Sequence, residues 1–237
     1  MSASALLVFA RCAGFAFRAP GLSHPSVPHP VRAGLALLLA FAIAPSVPSV
    51  TLPEIAFVAA LVMEFVLGSA IGIAASLLYD GAYAGGRMID DYVGVKAIAP
   101  TVAVVAPSGF GRVWSLAFTG GYFLLGAYRT TLYGFARSFE RIPPGSPFAA
   151  HAWTAFAQAL VTTIVEVAVA VAAPAIALAF VTQVALAALS RTIPRFASFT
   201  LSFPLVFGVV LIATAISIPL VAIQAAHPLM LFPGDVR

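Results

Sequence analysis

Charge is what this sequence has least of. Twelve Lys or Arg and eight Asp or Glu make up 8% of its 237 residues, where a soluble globular domain carries about a quarter. So few charges cannot clothe a water-facing globule. With 62% hydrophobic residues and a mean hydropathy of +1.05, the chain suits lipid or a buried place in an assembly. Lysine is almost missing: Lys96 stands alone, and the arginines are scattered singly. Despite a net charge of +4 and a pI near 9.6, no basic stripe exists to track phosphates, which excludes nucleic acid as a partner. The arginines are instead read as membrane-orienting and polar interface residues.

Cysteine is equally scarce. Cys12 has no second thiol to pair with, so folding needs no oxidising compartment; it reads as a small buried apolar residue beside Arg11. The four histidines, His24, His29, His151 and His227, never fall three or four residues from an acid or cysteine, so no metal spacing is present and no cofactor is called for. Serine nucleophile signatures are missing, and Gly109-Phe110-Gly111 lacks the third glycine and the strand that a dinucleotide loop requires. An enzyme is not expected. Met1 to Ala10 has no basic start and is followed by Arg11 and Arg18, so no cleavable export signal is predicted.

What is there is a series of apolar segments fenced by charges. Between Arg32 and Glu54 lie 21 uncharged residues, with Pro45, Pro48 and Pro53 ending regular helix near Ala44. Ile55 to Tyr79 reads as a cleaner helix, with Glu64 inside it and Gly68-x-x-x-Gly72 offering a bare face to a neighbour. Val113 to Phe135 is read as one helix. Ala152 to Ser190 and Phe196 to Gly234 are each 39 residues long, with Glu166 the single charge between them. A straight helix of that length reaches ~58 Å, nearly twice the ~30 Å hydrocarbon core. Each stretch is therefore two short spans or one arm of a long hairpin kinked at Pro174 and Pro204. The hairpin is preferred, because only Ser190 to Arg195 supplies charges and a proline to stop a helix.

The result is an all-α membrane protein of about six helical segments ending in a long kinked hairpin. Residues 18–32, 80–112 and 191–195 then share one side of the membrane, with Arg18, Arg32, Arg87, Lys96, Arg112, Arg191 and Arg195. The other side, residues 51–54, 136–151 and the carboxyl terminus, has only Arg137, Arg141 and Arg237. The positive-inside rule puts the first set, hairpin turn included, in the cytoplasm and both termini outward. Glu64 and Glu166 are costly in hydrocarbon and need protein, a polar partner or water. For these two acids, contact between helices, with Arg11 for example, is favoured over proton coupling, because two isolated acids do not make a relay. The run Gly85 to Gly94, with Arg87, Asp90 and Asp91, is a solvated helix end or a polar face turned into an assembly.

Several of these residues form a known pattern. Arg11, Pro20, Pro28 and Arg32-Ala33-Gly34-Leu35 come first. They are followed by Glu64-x-x-x-Gly68-x-x-x-Gly72, Ala84-Gly85-x-x-x-Ile89-Asp90 and Gly94, then Ser138-Phe139 with Pro143 and Gly145. Last come Pro174, Ser190-Arg191-Thr192-Ile193-Pro194, Phe199 and Phe203-Pro204. In this order the chain resembles, over nearly its whole length, the T-subunit family of type III secretion export apparatus proteins, flagellar FliR-like members included. It departs from the pattern at Gln183 and Ser190, where asparagine is expected, and at Ala187 and Ala188, where relatives carry a glycine.

The resemblance implies an inner-membrane export-gate subunit in a bacterial, virulence-type secretion base, packed with R and S subunits in a helical cone that passes unfolded proteins. Residues 1–150 would be R-like and 151–237 S-like, and the switch-type U subunit would meet the turn at Arg191, Pro194 and Arg195. It also implies that the loop Pro100 to Gly111 closes the resting pore, with Val104, Val105 and Phe110 as an apolar plug. Neighbouring chains and lipid would cover the overlong helices. The competing reading is a self-contained small-solute or ion permease using Glu64, Glu166 and Asp90, but such transporters often contain two similar halves, and no convincing repeat is present.

Overall fold

The computed structural model describes residues 3–23, 27–94, 109–146, 150–193 and 199–222. Among these the chain is all helix: α1 (Ala3–Arg18), α2 (His29–Ile43), α3 (Glu54–Val93), α4 (Gly109–Leu124), α5 (Ala127–Arg141), α6 (Ala150–Ser190) and α7 (Phe199–Ala222), with one short 3-10 turn at Ala44–Ser46. Among the described residues four helical segments are long and apolar enough to cross a membrane: His29–Ser46, Glu54–Val93, Trp153–Ser190 and Leu201–Pro219.

Proline and glycine set most of the boundaries. Pro28 caps α2 in an extended conformation and Pro30 sits in its first turn, where a missing N–H costs nothing. Pro45 then tightens the exit into the 3-10 turn. Glu54 opens α3 just after Pro53, its charge matched to the helix's positive end. That helix does not stop near Tyr79 as the sequence suggests: it continues to Val93, so residues 80–93, read as a polar connection, are helical. It ends where Gly94 turns left-handed, with φ +80°. The expected single helix from Val113 to Phe135 is two, because Gly126 adopts φ +77° and its conformation breaks the hydrogen-bond ladder between α4 and α5.

At the carboxyl-terminal end, α6 runs unbroken for 41 residues through Pro174, and α7 for 24 through Pro204 and Pro219. Each proline removes one helical N–H without ending its helix. α6 stops at Ser190, where the amides of Thr192 and Ile193 turn back onto the Leu189 carbonyl. Pro194 and Arg195, like Val104 and Val105, lie outside the described residues.

The chain packs as two compact units. The first takes in Met1–Leu77 and Gly126–Val161. Its core is Val8, Cys12 and Phe15 of α1, Leu67 and Ile71 of α3, Phe135 and Phe139 of α5, and Phe156 of α6, with the Phe15 and Phe135 rings stacked at 4.1 Å. The second takes in Leu78–Leu125 and Thr162–His227. Ile89, Phe110, Trp114, Val171, Ala175 and Val210 form its centre.

Candidate functional site

Inside the first unit, α1 and α3 cross at close range, and glycine is the reason. A Cβ on Gly68 would overlap the Arg11 carbonyl, and one on Gly14 would overlap the Phe65 carbonyl. Gly72 continues the seam, with the Arg18 Cβ 2.7 Å and the Phe15 carbonyl 2.9 Å from where its own Cβ would be. Bare backbone on both helices brings main chains together, and the approach presses Arg11 and Glu64 into one interior. Arg11 is completely buried and Glu64 is 5% exposed.

The two side chains meet there. Arg11 donates Nε–H to Glu64 Oε2 at 2.5 Å. The rest of its guanidinium reaches the end of α5: Nη1 donates to the Ser138 carbonyl at 3.0 Å and to Ser138 Oγ at 3.3 Å, and Nη2 to the Ile142 carbonyl at 2.9 Å. The Ser138 carbonyl also accepts the Ile142 amide at 2.9 Å and takes the guanidinium as a second donor. The Ile142 carbonyl lies just past the last turn, and at this helix end a cation is favoured by the macrodipole. The Phe139 ring covers the guanidinium at 4.4 Å. On the acid's other side, Glu64 Oε1 accepts the amide of Gly145 at 3.0 Å. Gly145 is left-handed, at φ +78°, a conformation that suits glycine. One ion pair thus fastens α1, α3, the end of α5 and the turn after it. A buried charge pair is tolerable only when its other polar atoms find partners, and here every guanidinium nitrogen and both carboxylate oxygens are engaged.

Asp90 does related work in the second unit. It lies near the end of α3, 3% exposed, and its carboxylate accepts the amide of Phe110 at 3.2 Å, one of the free donors of the first turn of α4. Around it Gly86 abuts the backbone of Phe110 and Gly111, and Gly85 abuts the Ala168 carbonyl and Val171. The charged run that the sequence offered as a solvated end is therefore a tight junction on this side. Phe110, expected on a loop, sits in the first turn of α4, 4% exposed, with its ring 5.6 Å from that of Phe207. The Asp90 cap starts the helix there.

The remaining expected residues are dispersed. Arg191 is exposed at the end of α6. Glu166 is exposed on the same helix and has no hydrogen bond or ion pair among the described residues. Among those residues no three His, Cys, Asp or Glu side chains gather as a metal site. Cys12 is wholly buried in the first core. Reading the sequence offered Arg11 as a partner for the intramembrane acids but did not find its other acceptors. Ser138, Phe139 and Gly145 stood out only through the resemblance, and a backbone carbonyl such as that of Ile142 leaves no mark on a sequence.

Comparison with known proteins finds likeness over nearly the whole chain. The family described as Bacterial export proteins, family 1, matches residues 2–230. The chain is similar to the flagellar biosynthetic protein FliR of Escherichia coli (strain K12), 29% identical over 224 residues, covering 88% of this chain and 82% of that protein. It is likewise similar to FliR of Aquifex aeolicus (strain VF5), 27% identical over 226 residues, covering 94% and 88%. FliR of Pectobacterium carotovorum is 24% identical over 231 residues, covering 92% and 85%.

Proposed function

The chain belongs to the bacterial export proteins, family 1, and on that premise we propose that it is the T subunit of the inner-membrane gate of a type III or flagellar export apparatus, a non-enzymatic part of the channel for unfolded proteins. The observation that carries this reading is the family match across residues 2–230. The helices support it. α3 and α6 have 40 and 41 residues, about 60 Å each against a hydrocarbon core of about 30 Å, with Ile55, Val58 and Phe180 exposed along them. Such lengths suit helices covered by neighbouring subunits as well as by lipid.

In this reading R and S subunits pack against the chain, the switch-type U subunit meets Arg191, Pro194 and Arg195, the hairpin turn faces the cytoplasm and the termini face outward. The likeness of residues 1–150 to one partner and of 151–237 to another belongs to the same proposal. The plug is assigned to Val104, Val105 and Phe110. The permease reading gains nothing from the geometry: Glu64 is committed to Arg11 and the Gly145 amide, and Asp90 to the start of α4.

The test is purification through a tag on this chain, followed by reconstitution. Small export-apparatus subunits should copurify, and the reconstituted complex should be closed to small ions. Val104→Asp with Val105→Asp should open it, since charge wets an apolar constriction. Phe110→Ala is the poorer probe because it also empties this chain's own core. A chain that copurifies with no export subunit would remove the reading, and unchanged conductance in the double variant would remove the plug.

A further inference from the structure

The longest helix carries one internal charge, and the fold leaves it outside. Glu166 is exposed on α6 within this chain. Thr162, Ala170, Ala173 and Ala177 lie four before it and four, seven and eleven after it, all exposed, which places the five residues on one narrow face. The buried face, Ala168, Val171, Ala172, Ala175 and Ala179, is the opposite one.

The bilayer cannot cover this face alone. If the slab of about 20 residues that spans hydrocarbon includes Glu166, a carboxylate stands in lipid and requires a counter-charge. If it is drawn instead around the uncharged residues 167–190, the turns before it stand in water with Val161 and Val165 exposed at 62% and 55%, and an apolar surface of that kind calls for protein. Both placements put a polypeptide here. A second copy docking through the same face would set carboxylate against carboxylate. The three alanines admit a neighbouring backbone closely, which buries the acid and makes a cation opposite it necessary.

We infer that a membrane helix of a different polypeptide packs along Thr162–Ala177 and presents an arginine or lysine to Glu166. The inference rests on the export-gate reading only for the existence of neighbouring chains. Its test is a photoreactive benzoylphenylalanine at Ala170 of the full chain in its native membrane. Irradiation should give an adduct with another membrane protein. Glu166→Arg should reduce that adduct about tenfold or more and Glu166→Gln by less, and changing the partner's basic residue to Glu should restore it with Glu166→Arg. Glu166 points away from the α6 core, so protection of Cys12 from maleimide should stay as in the wild type, which checks folding separately. Adducts to lipid or to a second copy, or an adduct unaffected by charge reversal, would overturn the inference. Copurifying export subunits with a lipid adduct at Ala170 would sink it alone. A charge-dependent adduct to a protein outside any export apparatus would sink the gate reading instead.

Discussion

Replacing Arg11 by Met should cost more stability than any surface charge in this chain. The substitution keeps much of the side-chain volume but strands Glu64, 5% exposed, with the Gly145 amide as its remaining partner among the described residues. It also removes the guanidinium donor from the Ile142 carbonyl, whereas the Ser138 carbonyl keeps the Ile142 amide. Removing one member of a buried ion pair costs about 3–5 kcal/mol. For a chain of this length each kcal/mol moves the unfolding midpoint by about 2–4 °C, so the fall should be roughly 6–20 °C. The measurement is thermal retention of the monodisperse peak by detergent-solubilised protein. Arg11→Met with Glu64→Leu should recover most of the loss, because no charge is then stranded, with about 1 kcal/mol remaining for the Ile142 carbonyl. The control is Arg137→Ala. Its pair with Glu140 is 3.7 Å long, with side chains 54% and 76% exposed, and contributes about 0–1 kcal/mol. If Arg11→Met melts within a degree or two of that control, or the double variant is no better than the worse single one, the ion pair does not hold these helices together.

Gly68→Ala should destabilise the first unit by about 1–3 kcal/mol, since its methyl meets the Arg11 backbone and not a movable side-chain tip. Gly34→Ala has open space around it and should gain about 0.5–1 kcal/mol from helix propensity. Equal melting shifts would refute the close-crossing argument. Asp90→Ala should lose about 1–2 kcal/mol and speed hydrogen exchange at the Phe110 amide, whereas Asp90→Asn, which keeps an acceptor, should lose less. Unchanged exchange would show that the carboxylate does not hold the start of α4.

How much of this could be read in advance depends on what sort of atom does the holding. Pro45, Pro48 and Pro53 act through their own backbone, so the exit of α2 was visible in the letters. The Arg11–Glu64 contact was half visible, because an acid in an apolar helix must find a partner and few exist. Its extension to Ser138, Ile142 and Gly145 was not, since main-chain acceptors and donors look alike at every position. The break at Gly126 leaves no trace in the uncharged run, because glycine interrupts a helix without interrupting hydrophobicity. The continuation of α3 escaped for the opposite reason. Asp80, Arg87, Asp90 and Asp91 look like a solvated connection, yet Gly85 and Gly86 let the backbones close around that stretch, and Asp90 turns its charge on a helix start.

The order of synthesis gives the arginine cluster a consequence in time. Arg11 leaves the ribosome early, but two of its acceptors are 127 and 131 residues downstream. At about 5–20 residues per second, roughly 6–25 s pass before they exist. Glu64, 53 residues away, arrives first and can hold the guanidinium meanwhile. α1 therefore stays unfinished through much of translation, its cation held by one acid alone until the chain's later half supplies the other acceptors.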